Sequence, residues 1–193
     1  MKEANWRKFT PLFIYTGVAL CLGFVAAGQG LSKSNTFLLL VSGFFSWSLI
    51  EYGLHRFVFH YHAKTRLGRK LLYQIHLSHH DDPTATNRIF ASLFLSVPLA
   101  AAYWLLVWTI TASWAATSYL FIGMSAGYFF YEWLHFQCHH GQSRLRILRY
   151  LRKYHLLHHY KTPELRFGVT SPLFDLMFGT FRRDERTPAR LNY

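Results

Sequence analysis

Four long apolar runs restrict what this chain can fold into. Pro11 to Ala27 reads PLFIYTGVALCLGFVAA, and Thr36 to Ile50 reads TFLLLVSGFFSWSLI before continuing towards Leu54. The third runs from Ile89 to Ile110 and the fourth from Ser113 to Leu134. A helix crossing a hydrocarbon core of about 30 Å needs roughly 20 apolar residues. The last two runs satisfy that, and the first two gain length from mixed flanks. Four such runs in 193 residues leave too little polar surface to cover them in a soluble domain. The expected fold is an all-α integral membrane protein, a single domain over residues 1–193. Its four transmembrane helices are expected at about 11–27, 36–54, 89–110 and 113–134. A cleavable signal peptide does not describe the first run, which is long and lacks a small-x-small exit before a polar segment.

Positive charge sets the expected orientation. Lys2, Arg7 and Lys8 precede the first span, six Lys and Arg lie between Arg56 and Arg88, and eleven follow the fourth span. Only Lys33 sits in an opposite turn, so alternate loops carry 20 of the 21. Positive residues stay on the cytoplasmic side, which places both termini and the central loop there. Residues 55–88 and 135–193 then form a cytoplasmic cap. The membrane is a bacterial inner membrane or the endoplasmic reticulum. Anionic headgroups explain the formal net charge of +12. Nucleic acid does not, because the basic residues flank spans instead of forming an exposed readout face. Two cysteines, Cys21 and Cys138, build no disulfide framework.

The histidines give the cap its chemistry. All twelve lie at span ends or just beyond them on the expected cytoplasmic side, against only nine carboxylates in the whole chain. His76-x-x-His79-His80 and His155-x-x-His158-His159 each place three imidazoles at i, i+3 and i+4, spread over about 100° of one helix face. His135 and His139, at i and i+4, also share a face. His55 and His60 are five apart, roughly 140° on a regular helix. Either that helix is distorted or the two rings reach a common site from different sides. Neutral imidazoles converging without a metal are poorly satisfied polar groups; with one they are ligands.

The pattern occurs twice. EYGLH (Glu51 to His55), HLSHH (His76 to His80) and NRIF (Asn87 to Phe90) are followed at offsets of 78 to 80 by YEWLH (Tyr131 to His135), HLLHH (His155 to His159) and LRFG (Leu165 to Gly168). A duplication puts the metal centre between halves, each supplying five histidines. Glu51 and Glu132 precede His55 and His135 at the bilayer boundary. Metal-bound imidazoles donate their second N–H to a carboxylate or carbonyl, so both glutamates are expected to orient ligands.

These residues carry a specific likeness. EYGLHRFVFH (Glu51 to His60), HLSHH, HFQCHH (His135 to His140) and above all KYHLLHHYKTPELRFGVTSPLFDLMFGT (Lys153 to Thr180) resemble the fatty acid hydroxylase superfamily. The resemblance is closest to its fatty acid 2-hydroxylase branch. It implies a helical, histidine-rich dimetal cap on the four spans, with ten ligands: His55, His60, His76, His79, His80, His135, His139, His155, His158 and His159. His62 and His140 have no place in the pattern. The resemblance implies two iron ions, though imidazoles alone also suit zinc, copper or nickel. It implies dioxygen-dependent 2-hydroxylation of a fatty acyl chain on a membrane lipid, with sterol or carotenoid hydroxylation or desaturation as the alternatives inside the superfamily. No Gly-rich flavin or nicotinamide fingerprint appears. The short segment before the first span leaves no room for a fused haem carrier, so electrons are expected from a separate protein, acidic to match the positive face.

Other classes fit less well. A metal transporter sets its ligands near the bilayer midplane, and these spans are almost free of ionisable residues. A membrane metallohydrolase keeps a carboxylate inside the motif, as in HExxH, and HLSHH and HLLHH have none. A structural lipid-binding protein has no use for the histidines.

Overall fold

Each apolar run becomes a helix, and turn chemistry decides where each begins and ends. The computed structural model describes residues 10–183. Lys2, Arg7, Lys8 and the end of the expected cap, 184–193, lie outside the described residues. In chain order the helices are α1 (Thr10–Ala27), α2 (Lys33–Gly53), α3 (Arg66–Leu72), α4 (Ser78–Asp81), α5 (Leu93–Thr111), α6 (Trp114–His140), α7 (Arg146–Tyr160) and α8 (Leu173–Met177). Two π-helical segments interrupt them, Leu54–Phe59 directly after α2 and Tyr73–Leu77 between α3 and α4. No strand occurs among the described residues.

Serine and threonine caps start three of these helices. The Ser32 hydroxyl accepts from Asn35 N at 3.3 Å at α2, Thr65 from Gly68 N at 3.1 Å at α3, and Ser113 from Ala116 N at 3.3 Å at α6. Each satisfies one of the orphan donors of a first helical turn.

Two segments are long and apolar enough to cross a membrane, Lys33–Phe59 and Leu93–Thr111, and Pro11–Ala27 is a shorter apolar helix. The third run starts its helix at Leu93, four residues later than the expected Ile89. The Asp-Pro-Thr sequence explains this. Asp82 Oδ1 accepts from the Thr84 hydroxyl at 2.8 Å, and Ala85 N and Arg88 N close successive turns onto Asp82 O and Ala85 O. Such local side-chain bonds compete with helix. The fourth run continues past its expected end at Leu134 to His140, because no breaker intervenes before Gly141. The expected span and the histidine segment beyond it are therefore one rod.

α6 is the central helix, packed by α1, α2, α5 and α7. Its tightest partner is α2. A Cβ on Gly43 would lie 2.2 Å from Leu120 O, and one on Gly123 2.1 Å from Leu40 O, so these two backbones touch. Close approach through small residues is how apolar helices associate where hydrophobic drive is weak. Around this seam Tyr15, Trp47, Phe121, Met124 and Tyr128 form a buried aromatic cluster. α7 is amphipathic: Leu151, Tyr154, His155 and His158 are buried, while Arg146, Arg149 and Lys153 are exposed. That i, i+3, i+4, i+7 face is turned to the ends of α2 and α6.

Candidate metal centre

The ten histidines singled out by sequence gather into two groups of five. His55, His60, His76, His80 and His158 form one; His79, His135, His139, His155 and His159 form the other. Within a group the ligating nitrogens all lie within 4.8 Å of one another. His62 is exposed, and His140 stacks on Phe136 with ring centroids 4.8 Å apart; neither joins a group.

Helix geometry accounts for the convergence. The spacing of His55 and His60 is resolved by distortion: in the π-helical turn the His60 N–H donates to His55 O at 3.2 Å, an i to i+5 bond. One wide turn thus brings the two rings together, tilted at 49° with centroids 5.1 Å apart. On α7, His155 and His159 lie about 40° apart, while His158 sits about 100° from His159 on the other side of His155. The outer pair therefore serves one group, and His158 reaches the other. The HLSHH segment does the same, with His76 and His80 in one group and His79 in its counterpart. Each half supplies five ligands but keeps four, exchanging the middle histidine of its HxxHH motif. Such reciprocity is what two duplicated halves would produce.

The donor atoms fit metal ions. Nε2 to Nε2 separations are 3.0 Å for His76–His80, 3.0 Å for His79–His135, 3.1 Å for His79–His139, 2.9 Å for His139–His155, 3.0 Å for His155–His159 and 3.2 Å for His60–His158. Two nitrogens ~2.1 Å from one ion and at right angles to each other are about 3.0 Å apart. An imidazole nitrogen carries either a hydrogen or a lone pair, so His79 Nε2 cannot donate to one neighbour and accept from the other. A shared cation satisfies both. Burial holds the rings in the neutral form that a cation needs: it pushes His60 and His79 down to about 4 and His80 to about 3.

Two of the second ring nitrogens, those of His55 and His158, are held by the loop that follows α7. The His55 Nδ1–H donates to Phe167 O at 2.6 Å and the His158 Nδ1–H to Leu165 O at 2.7 Å. These bonds fix the tautomer and leave Nε2 as the ligand. His55 Nε2 is indeed buried with no hydrogen-bond partner among the described residues. The loop is clamped by two buried carboxylates. Asp175 accepts from Phe167 N and Gly168 N, each at 2.8 Å, and from the Thr180 hydroxyl at 2.6 Å. Glu51 accepts from Val169 N, from Thr170 N at 2.9 Å and from the Thr170 hydroxyl at 2.7 Å. Four successive backbone N–H groups thus end on carboxylate oxygens. Arg166, buried and left-handed at φ 61°, donates its N–H to Thr180 O at 3.1 Å.

The two glutamates act differently from the expectation. Glu51 bonds the 169–170 backbone rather than an imidazole, so its hold on His55 is indirect. Glu132 Oε1 accepts from Ala91 N at 3.0 Å, which fixes the strand of chain entering α5. Asp175 and the carbonyls of Leu165 and Phe167 were not singled out by residue type, since a carbonyl has no side-chain signature. The signals available were regional: LRFG (Leu165 to Gly168) closes the second copy of the repeat, Lys153 to Thr180 carries the strongest family likeness, and Asp175 is a lone carboxylate in the apolar segment LFDLMFG.

A cavity of about 260 Å³ starts at this centre. His55, His76, His79 and His135 line its near end. Ile50, Leu95, Leu99 and Met124 line its walls between α2, α5 and α6, together with Tyr103 and Leu106 of α5.

Known proteins resemble this chain in sequence and in fold. The model of the fatty acid hydroxylase family matches residues 40–180. Dihydroceramide fatty acyl 2-hydroxylase FAH1 of Arabidopsis thaliana is 35% identical over 155 residues, covering 80% of this chain and 65% of the plant protein. Ceramide very long chain fatty acid hydroxylase SCS7 of Saccharomyces cerevisiae is 35% identical over 200 residues, covering 100% of this chain and 49% of the yeast protein. This chain therefore spans from about half to about two thirds of these relatives' own length. The solved structure of full-length scs7p, in which only the hydroxylase domain is visible, superposes with a TM-score of 0.83 at 32% identity, covering 91% of this chain and 67% of that one. With more than half of its length matched and the fold shared, the chain belongs to the fatty acid hydroxylase family.

Proposed function

We propose that this chain hydroxylates carbon 2 of a fatty acyl chain carried on a membrane lipid. One atom of dioxygen enters the C–H bond and the other leaves as water, with two electrons drawn from a separate, acidic carrier protein and two protons from solvent. The observation that supports this best is the placement of four candidate ligands, His55, His76, His79 and His135, on the near wall of a predominantly apolar cavity. A hydrocarbon chain in that cavity brings its head end against the imidazole cluster. The named relatives, a dihydroceramide fatty acyl 2-hydroxylase and a ceramide hydroxylase, point to the same chemistry.

The ten histidines are the proposed ligands of two iron ions, five imidazoles to each. When bound, the ions supply the reductive chemistry with dioxygen that side chains cannot perform. The protein's own part is to orient and exclude. Phe167 O and Leu165 O hold His55 and His158 in one tautomer, and Glu51 and Asp175 fix the loop that presents those carbonyls. The apolar walls align the acyl chain and keep bulk water from the reacting carbon. α1, α2, α5 and α6 are the proposed four spans, with the histidine cap and both termini on the cytoplasmic side. A lipid then enters sideways, without leaving the membrane. A transporter would need ligands along its spans, whereas these imidazoles collect at one end of α2 and α6.

Mass spectrometry of lipids from a host lacking 2-hydroxylated lipids, with this chain expressed, tests the reading. New 2-hydroxy acyl lipids are expected. Hydroxylation of a sterol or carotenoid ring instead would overturn it.

A further inference from the structure

We infer that α8 is an interfacial anchor: its outer face lies in the cytoplasmic leaflet, at the boundary between acyl chains and headgroups. The inference rests on the reading above of α2 as a membrane span. Leu173, Leu176 and Met177 stand at i, i+3 and i+4, on one face of this short helix, and with Phe178 they are 51–64% exposed. Asp175 comes from the opposite side, wholly buried, with its oxygens on the N–H groups of Phe167 and Gly168. One side of α8 thus grips the loop that orients His55 and His158, and the other presents large apolar side chains to the surroundings. An exposed apolar patch of this kind marks a contact with a membrane or a partner. Residues 184–193, DERTPARLNY, bring only Leu191 and Tyr193 as large apolar side chains to cover it.

Depth decides for the membrane. The chain on both sides of α8 packs along the end of Lys33–Phe59, the stretch long and apolar enough to cross a bilayer. The Thr170 hydroxyl lies 3.2 Å from Ser48 Oγ. The Phe178 ring stacks on Tyr52 at 5.4 Å, and Arg56 donates to Phe178 O at 3.4 Å. Ser48, Tyr52 and Arg56 follow one another roughly a turn apart, so α8 lies level with the end of the span. Phe45 and Leu49, both exposed, precede Tyr52 on the same stripe of α2 at i, i+4 and i+7. Lipid lying against that stripe meets α8 next. Non-helical backbone at this depth must find its partners inside the protein, and the loop does so: the N–H groups of residues 167–170 end on Asp175 and Glu51. Arg182 and Arg183, both exposed, follow α8 within a few residues and suit anionic headgroups.

The test uses the full chain with Cys21→Ser, in vesicles of phosphatidylcholine and phosphatidylserine, carrying a nitroxide label on Leu176→Cys or Met177→Cys. Cys138 is buried and stays in place. Electron paramagnetic resonance compares collisions with oxygen, which concentrates in the bilayer, against collisions with a water-soluble nickel chelate. Oxygen should dominate at both positions, at a depth of about 5–10 Å. If either variant does not accumulate, Leu173→Cys is read in the same way. Dominance of the nickel chelate overturns the anchor. A label that neither reagent reaches overturns it too, because protein rather than lipid then covers the face. A label on Phe45→Cys separates the two readings: if oxygen does not dominate there, the span assigned to α2 fails, and the anchor with it.

Discussion

His79 belongs to the first histidine segment, yet its Nε2 lies 3.0 Å from that of His135, in the group the second half supplies. His158 mirrors it, 3.2 Å from His60 in the opposite group. Neither half completes a set of five alone. Ions bound in this way tie α4 to α6 and α7 to the end of α2, so metal affinity becomes folding free energy of the cap.

Replacing a crossing histidine should empty one group and spare the other. His79→Ala is expected to lower the metal content of the purified protein from two ions per chain towards one, and His158→Ala likewise. The double variant should approach zero. Elemental analysis by mass spectrometry reads this directly. A single variant that loses both ions at once would show one shared cluster rather than two groups.

Glu51 and Glu132 precede their histidines at similar spacing, but only Glu51 reaches the loop that orients ligands. Glu51→Gln puts an amide N–H where the Thr170 hydroxyl now donates, and should weaken metal retention by about tenfold to a hundredfold. Glu132→Gln should leave retention near wild type, because its partner is Ala91 N. Competition against a calibrated chelator measures both. Equal loss in the two variants would mean that the loop is not the route by which Glu51 acts.

Asp175 is wholly buried and receives three hydrogen bonds. Asp175→Ala leaves the N–H groups of Phe167 and Gly168 without acceptors, at about 1–3 kcal/mol each. It should lower the thermal midpoint in detergent and loosen metal at the group containing His55 and His158 more than at the other. A stable variant with both ions intact would remove the loop from the account.

How much of this was legible in the sequence follows from how local each feature is. The apolar runs and the i, i+3, i+4 imidazoles are short-range patterns, so the helices and the two HxxHH faces could be read from residue order, while the full set of ten, without His62 and His140, came from the family resemblance. The five-residue step from His55 to His60 showed that something irregular was needed, and the π-helical turn supplies it. The late start of α5 was hidden behind Ile89 and Phe90, whose apolarity reads as span although Asp82-Pro83-Thr84 sets turns. The partners of Glu51 could not be read at all, since Val169 and Thr170 are far away in sequence and contribute mainly backbone N–H groups. The exchange of His79 and His158 was implicit in the 100° spread of each motif, but which ring crossed depended on how the halves pack.

Anomalous diffraction at the metal edge, from crystals of the purified protein, bears most directly on the crossed centre. The expected map has two peaks, one amid His55, His60, His76, His80 and His158, the other amid His79, His135, His139, His155 and His159. A lone peak, or two peaks with His79 and His158 each bound beside the other ligands of their own halves, would contradict it.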